Sequence, residues 1–500
     1  MKIRLNITAS FIMMILISCS IGDGKMSFDW KTGSEKIEEF FTKLNEKEQF
    51  NGNVLITDKG KICFQGSFGF SDYEKKLKLN EESTFDMGSI AKQFTAMCIV
   101  MLQEREMLNY DDLIVKYLTE IPYRNITIRQ LLTHTSGLPD YVEFKNIEYD
   151  PWKIFDNRDI ISILIEENPQ LLFEPGTKWQ YSNLGYLILG EVVQRVTGSP
   201  LHSFMRENIF IPLDMNMTGH KNFLTSIQEE HKTNGYFFLR ETGKPEIAIE
   251  LEEPGLNYPR RNATEGLAWI YTTTEDMFKW DRALYTEKLV SNNTLEEVFK
   301  PVELKNGETF PYGFGWFIDK DNYGNKLVMH SGGMPGYVAK FIRNTGREMA
   351  VIILSNDYNI QISYIEEITD ELMKLLKDQN YLIPPLAVEK EIYKHIRPKS
   401  KLDVLLTEVE KMLSDSTSFS INEEIMTNLG YSLLHYDDIS VALKYFELGT
   451  LLFPESASVY KHLGKACLEA GKTGKAKQSM EKALELDPRD AEVKNLLKRF

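Results

Sequence analysis

Between Ser89 and Leu102 the chain is apolar nearly all round, the pattern of a helix buried on every side. Such a helix has to sit inside a large core, so no other segment narrows the choice of fold as much. It nevertheless carries a lysine, Lys92. Burying an unpaired ammonium costs several kcal/mol or forces the group to give up its proton. Residues three apart share a helix face, which sets Lys92 beside Ser89. Ser89 follows Gly88 at the expected helix start, where free backbone N–H groups and the helix dipole favour developing negative charge. A hydroxyl, a desolvated amine and an anion-stabilising helix end together describe an activated nucleophile. The same Ser-x-x-Lys string at Ser458–Lys461 and Ser479–Lys482 lies among Lys, Glu and Gln, where a lysine is simply solvated. The plain alternative for Ser89 is an ordinary N-cap.

With 500 residues, 42% of them apolar and 26% charged, the chain has material for two or three domains and a large core. A formal net charge of −15, spread along the sequence, argues against nucleic acid or anionic lipid as a partner. At the N-terminus, Lys2 and Arg4 precede an apolar run from Phe11 to Ile17, too short to span a bilayer. The run ends in Leu16-Ile17-Ser18-Cys19, which resembles the bacterial lipoprotein cleavage box. That resemblance implies a signal peptide over 1–18, lipid on Cys19, a tether over 19–33, and export to the cell envelope with a lipid as the sole membrane attachment. Cys63 and Cys98 read as small core residues, and the cysteine spacings suggest neither a metal site nor a disulfide framework.

Ile37, Phe40, Phe41 and Leu44 are spaced for one face of an opening helix. Two strand-like runs, Asn53–Thr57 and Lys61–Ser71, meet at Asp58-Lys59-Gly60, a hairpin signal. Helical patterns then alternate with Pro- and Gly-marked loops from Asp111 to about Val298. Strand character returns at Gly313–Asp319, Lys326–Met329, Val338–Arg343 and Met349–Ser355, followed by a helix from about Ile360 to Leu376. Strands at both ends with helices between predict an α+β fold: an antiparallel sheet flanked by helices, with a helical subdomain inserted. A cleft between the two is the natural place for a site. Beyond Asn380, Pro384-Pro385 and the Lys/Arg-rich stretch to Lys401 read as a linker. A repeat of period 34 follows, pairing Gly430 with Gly464, Ala442 with Ala476 and Pro454 with Pro488. It resembles the tetratricopeptide pattern and implies an all-α domain, capped by helices near Leu402–Leu413 and Ala491–Phe500.

Two further motifs stand in an order that suits acyl transfer. Tyr181-Ser182-Asn183 offers a phenol that can relay a proton and an amide that can hold a substrate peptide bond. His330-Ser331-Gly332-Gly333, read as a segment just after the strand Lys326–Met329, offers backbone N–H groups close to a bound acyl oxygen.

Together these motifs resemble the serine β-lactamase and penicillin-recognising hydrolase family, especially its class C and D-alanyl-D-alanine carboxypeptidase branch. The resemblance spans roughly Ser34–Leu376 and takes in Leu131-Leu132-Thr133-His134-Thr135-Ser136-Gly137-Leu138-Pro139, Gly185–Gly198, Thr273-Thr274-Glu275-Asp276-Met277, Gly313-Phe314-Gly315-Trp316 and His330–Tyr337. It implies that Ser89 is acylated, that Lys92 accepts or relays its proton, and that Tyr181 is the second proton-transfer group. It further implies that Asn183 binds the substrate amide and that His330, Gly332 and Gly333 line the substrate cleft, with Ser89 and Gly333 N–H groups as the oxyanion hole. His134 reads as structural. No metal or cofactor is implied.

Two departures matter. Class C enzymes start the third motif with lysine, whereas this chain has His330, which binds a substrate carboxylate less firmly when neutral. Glu265-Gly266-Leu267-Ala268-Trp269 stands where relatives usually carry consecutive glycines, which suggests a remodelled acyl pocket. The expected layout is a hydrolase domain over 34–380, a linker and capping helix over 381–421, and tetratricopeptide-like repeats over 422–500. The expected activity is cleavage of amide or ester bonds in a small peptide, ester or cell-wall-derived substrate, with β-lactam hydrolysis disfavoured. The competing expectation is a catalytically weak envelope scaffold presenting its repeats to a protein partner.

Overall fold

The computed structural model describes residues 28–140, 155–239, 244–248, 264–321, 323–357, 362–388, 391–392, 396, 400–415, 419–423, 426–427, 430, 433–434, 439–498 and 500. The signal segment, Cys19 and the first part of the expected tether lie outside the described residues. The chain divides into two compact units, one of Trp30–Leu375 with Tyr381–Ile383, the other built mainly from Pro384–Phe500.

In the first unit, helix α1 (Trp30–Glu46) buries Gly33, Ile37, Phe40, Phe41 and Leu44. It starts before the expected end of the tether, because the Trp30 indole donates to Asp58 at 3.0 Å and ties the first turn to the sheet. Strands β1 (Gly52–Asp58) and β2 (Lys61–Phe68) form the expected hairpin. Lys59 and Gly60 both take positive φ (52° and 71°), the geometry whose twist matches a two-residue hairpin. Later strands include, in chain order, β3 (Phe85–Asp86), β4 (Gly219–His220), β5 (Ile270–Thr272), β6 (Phe317–Lys320), β7 (Lys326–Met334), β8 (Tyr337–Asn344) and β9 (Met349–Ser355). Among the described residues the main sheet has six antiparallel strands in the order β6-β7-β8-β9-β1-β2. The first hairpin therefore pairs with the last strand, Val54 opposite Ile353, and closes the sheet around everything between. Strands β1, β8 and β9 are buried at every position; apolar residues dominate β9 and the centre of β1, whereas β8 also buries Lys340 and Arg343.

The intervening helices include α2 (Lys92–Glu104), α3 (Ile128–Leu132), α4 (Asn157–Glu167), α5 (Asn183–Thr197) and α6 (Thr274–Ala283), with α7 (Ile362–Leu375) after the sheet. Every residue of α2 from Lys92 to Leu102 is buried, so the apolar pattern named the helix correctly. Three local expectations change. The strand expected over Lys326–Met329 runs further: β7 continues through His330–Gly333 to Met334, with Gly332 opposite Ala339 and Gly333 opposite Val338. Ladder hydrogen bonds come from the backbone, so glycines did not end the strand where a partner was present. Gly313–Trp316 is not strand either, since Gly315 turns the chain at φ 80° and β6 begins at Phe317. Cys63 is half-buried rather than core, whereas Cys98 and Cys467 are buried, all three as free thiols.

The second unit contains α8 (Leu402–Leu413), α9 (Ile439–Leu452), α10 (Ala457–Glu469), α11 (Thr473–Leu486) and α12 (Ala491–Leu497). The bounds of α9 and α11 differ by 34 residues at both ends, and α10 and α12 start 34 apart. Their caps repeat too: Ser456 accepts from Val459 N–H and Asp490 from Val493 N–H. Gly430 packs against Phe446 as Gly464 packs against Met480, the same offset in each unit of the repeat. The stretch expected as a linker contributes to this core, because Val388, Ile392 and Ile396 are buried with Leu405 and Val409 of α8. Among the described residues no helix is long and apolar enough to cross a membrane.

Candidate active site

Ser89 lies on a 3₁₀ turn, Gly88–Ala91, that leads straight into α2. Asp86 pins this turn by accepting from Gly88 N–H at 2.9 Å. Burial pushes the Asp86 carboxyl up to about 7, against the pull of that N–H group and of the Lys221 and Lys232 cations. Lys92, one turn on, is fully buried. Its Nζ is 3.0 Å from Ser89 Oγ, 2.9 Å from Asn183 Oδ1 and 2.9 Å from the Leu267 carbonyl. Burial pulls the ammonium down to about 7, with Asp140 acting in the opposite direction. A neutral amine has two N–H donors and one lone pair. Asn183 Oδ1 and the Leu267 carbonyl can only accept, so they take the two donors and leave the lone pair for the Ser89 hydroxyl. The site therefore orients the amine as a base toward Ser89.

Asn183 opens α5, and its amide is held by a residue that sequence reasoning missed. Asp140 Oδ2 accepts from both Asn183 N–H and Asn183 Nδ2 at 2.9 Å. Because a carboxylate cannot donate, this contact fixes the amide with its oxygen toward Lys92. Ser182, the N-cap, makes no side-chain cap bond, so Asp140 caps the helix from a distant loop, where the helix dipole favours its charge. Leu267 lies in the bulky segment Glu265–Trp269 noted in the sequence, but its part in the site is a backbone carbonyl, which residue type does not reveal. It is presented by a segment tied at each step: Asn157 bonds the Glu265 N–H and carbonyl, and Thr95 donates to the Gly266 carbonyl at 2.7 Å. The Glu265 side chain turns away and holds His202.

Tyr181 places its ring 5.0 Å from Lys92 Nζ and 4.3 Å from the His134 ring. His134 sits just after α3 at φ 57°, the left-handed region that histidine enters more readily than most side chains. Its Nδ1 accepts from Ser182 N–H at 3.2 Å, so the ring hydrogen is on Nε2, 3.2 Å from the Tyr312 hydroxyl. Tyr312 in turn is 3.1 Å from His330 Nε2 and supplies its hydrogen there, while His330 Nδ1 donates to the Ser331 carbonyl at 2.6 Å. Both imidazoles are thus neutral with assigned tautomers. Burial, then the Lys92 charge, takes His330 down to about 3, and the same two causes hold His134 well below its usual value. No cation stands at the start of the third motif.

The backbone of β7 runs directly against the Ser89 turn. A Cβ on Gly332 would fall 1.9 Å from the Met87 carbonyl oxygen and 3.0 Å from Ser89 N; one on Gly88 would fall 2.6 Å from Gly333 N. Only glycine permits this approach. Ser331 points to the other face, where it donates to Glu366 and where Lys340 binds the same carboxylate at 2.6 and 2.7 Å. The structure therefore gathers Ser89, Lys92, Tyr181 and Asn183 into one cluster with Gly332 and Gly333 along its edge. His330 is held by Tyr312, with its ring centroid 6.2 Å from that of Tyr181. Among the described residues no three His, Cys, Asp or Glu side chains are grouped to hold a metal ion.

The beta-lactamase family profile matches residues 37–360. Penicillin-binding protein 4* of Bacillus subtilis (strain 168) is 36% identical over 357 residues, 71% of this chain and 78% of that protein. The octameric penicillin-binding protein homologue from Pyrococcus abyssi superimposes with a TM-score of 0.58 at 24% identity, over 69% of this chain and 78% of that one. The D-amino acid amidase from Ochrobactrum anthropi SV3 gives 0.57 at 21% identity, over 70% of this chain and 99% of that one. With its profile match and its 36% identical relative, the chain belongs to the β-lactamase family of serine hydrolases.

Proposed function

We propose that the protein hydrolyses amide or ester bonds through an acyl-enzyme on Ser89, as a D-alanyl-peptide carboxypeptidase or aminopeptidase, or as an esterase. The observation that carries this reading is the buried Lys92 amine, whose bonds to Asn183 and Leu267 leave its lone pair facing Ser89 Oγ at 3.0 Å. In the first step Lys92 takes the hydroxyl proton while Oγ attacks the substrate carbonyl carbon. The oxyanion is received by the N–H groups of Ser89 and Gly333. The amine or alkoxide leaves with a proton relayed through Tyr181, and the acyl group remains as an ester on Ser89. Water then attacks that ester, the same bases take its proton, Ser89 regains its hydrogen and the acid departs. The penicillin-binding relative and the D-amino acid amidase neighbour support amide chemistry for this site. The neutral His330 disfavours substrates that need a cationic anchor for a carboxylate, β-lactams among them.

Around this activity we place a lipid anchor at Cys19 and export to the cell envelope, supported by the Leu16-Ile17-Ser18-Cys19 box and the penicillin-binding relatives. The 34-residue repetition of helices and caps supports a tetratricopeptide-like role for the C-terminal unit, docking a protein partner. To test the activity, wild type and Ser89→Ala are incubated with a fluorophosphonate and a fluorescent penicillin, then assayed on D-Ala-D-Ala peptides and p-nitrophenyl esters. Fluorophosphonate labelling of wild type alone is expected. Labelling of both proteins, or of neither, contradicts the nucleophile, and the turnover comparison decides between peptidase and esterase.

A further inference from the structure

The two oxygens that aim the Lys92 amine stand on different elements. Asn183 Oδ1 belongs to the first residue of α5, and the Leu267 carbonyl to the irregular segment 264–269. A segment with no helix or ladder of its own needs side-chain partners for its backbone. Three consecutive residues of this one find them. Both backbone groups of Glu265 bond the Asn157 amide, the N–H reaching Oδ1 at 2.7 Å and the carbonyl accepting from Nδ2 at 3.1 Å. Thr95, one turn beyond Lys92 on α2, donates to the Gly266 carbonyl at 2.7 Å, and Lys92 donates to the Leu267 carbonyl. Asn157 has a further bond: Nδ2 donates to the Leu187 carbonyl of α5 at 3.2 Å. One buried amide, in the first turn of α4, therefore spans from α5 to the segment. The two it joins also touch, since a Cβ on Gly266 would fall 2.4 Å from the Tyr186 carbonyl oxygen and one on Gly190 3.1 Å from the Glu265 carbonyl oxygen.

We propose that Asn157 is a positioning residue for acylation: by bridging α5 to the 265–267 segment it fixes the separation of Asn183 Oδ1 and the Leu267 carbonyl, and so the direction of the Lys92 amine. This rests on Lys92 being the base that serves Ser89. Asn157 makes no bond to Ser89 or Lys92 itself, so its effect passes through the segment. Without the amide, the Glu265 N–H and carbonyl lose their partners two residues from the Leu267 carbonyl. A carbonyl that drifts leaves Nζ with Asn183 as its remaining acceptor, and rotation about the Cε–Nζ bond turns the lone pair away from Ser89 Oγ. A shift of about 1 Å in a positioning group costs about 10² in rate; because Thr95 still holds Gly266, a loss of about tenfold or more is expected. An apolar side chain of similar size would fill the space of Asn157 and supply none of these bonds.

The test labels wild type, Asn157→Ala, Thr95→Val and Lys92→Ala with a fluorophosphonate over a concentration series, together with Asn157→Ala and Thr95→Val each combined with Lys92→Ala. Ser89 Oγ displaces fluoride from phosphorus as its proton passes to Lys92, and the series separates the half-saturating concentration from the limiting rate. Asn157→Ala is expected to lower the limiting rate about tenfold or more, with the half-saturating concentration within about threefold of wild type. In the Lys92→Ala background the same substitution should change the limiting rate by less than about threefold, because the amine it positions is gone. A packing role would slow both backgrounds alike. Thr95→Val frees the Gly266 carbonyl from α2 without touching Asn157 and should show the same dependence on Lys92; it decides the matter if Asn157→Ala fails to fold. A folded variant within about threefold of wild type, or one that loses as much rate in Lys92→Ala, overturns the proposal while leaving the acyl-enzyme intact. Wild type that does not label, or Lys92→Ala that labels as fast as wild type, brings down the reading beneath it and this proposal too.

Discussion

Replacing Gly332 by alanine perturbs one dimension of the site, the approach of β7 to the Ser89 turn. The added Cβ would sit 1.9 Å from the Met87 carbonyl oxygen, whereas a comfortable carbon–oxygen contact is about 3.3 Å. The strand has to withdraw by roughly 1.4 Å, the difference between those two figures. The turn cannot follow it, since Gly88 already lies so close to Gly333 that its own Cβ would be 2.6 Å from Gly333 N. Withdrawal carries Gly333 N–H away from the oxyanion it is proposed to bind. Loss of one such donor costs about 10²–10³ in rate, roughly 2.7–4 kcal/mol, and a misplacement of 1 Å alone costs about 10². Acylation of Gly332→Ala, measured as the fluorophosphonate labelling rate and the p-nitrophenyl ester burst, should therefore fall at least about 100-fold. A thermal melt run alongside reports the overpacking strain separately, expected at about 1–3 kcal/mol. A well-folded Gly332→Ala that acylates within threefold of wild type would refute the reasoning.

Three further outcomes follow from particular contacts. Because Lys92 must be neutral to accept a proton and sits at about 7, acylation should rise about tenfold per pH unit below 7 and level off above it; Asp140→Asn removes the charge that favours protonation, so the midpoint should move to lower pH, and a midpoint that stays or rises contradicts the assignment. Tyr312→Phe strips His134 of its Nε2 acceptor and His330 of its Nε2 donor, and should lower stability to urea unfolding by about 2 kcal/mol or more; an unchanged midpoint would show that the two imidazoles do not depend on it. Gly464→Val drives side-chain atoms into Met480, whose Cγ would be 2.7 Å from even a first Cβ, and should make the C-terminal unit open to limited proteolysis, whereas unaltered protection argues against that packing.

What the sequence revealed depended on whether the chemistry was carried by side chains in a telling background. Lys92 was legible because a lysine in an all-round apolar helix is anomalous, and the structure seats it fully buried beside Ser89. The antiparallel sheet was legible from its apolar strands, and the 34-residue period from paired small residues and prolines. Asp140 was not, because an aspartate in a loop is ordinary until the fold brings it to the N-terminus of a helix 43 positions later. The Leu267 carbonyl is a backbone group and leaves no trace in residue type. Tyr312 reads as one aromatic among several, and only the fold reveals its hydroxyl between two histidines. The extension of β7 through Gly332 and Gly333 was hidden for a related reason: glycine pairs suggest turns, and the neighbouring strand that keeps them extended lies in the third dimension. Val388, Ile392 and Ile396 did carry a helical spacing, masked by the prolines and basic residues around them.

The most direct measurement of the central claim is the mass of the enzyme after rapid acid quench from a p-nitrophenyl ester. The account predicts one acyl group added to wild type, mapped by digestion to the peptide bearing Ser89, absent from Ser89→Ala and strongly slowed in Lys92→Ala. An acyl group found on another residue, or acquired by Lys92→Ala as fast as by wild type, would contradict it.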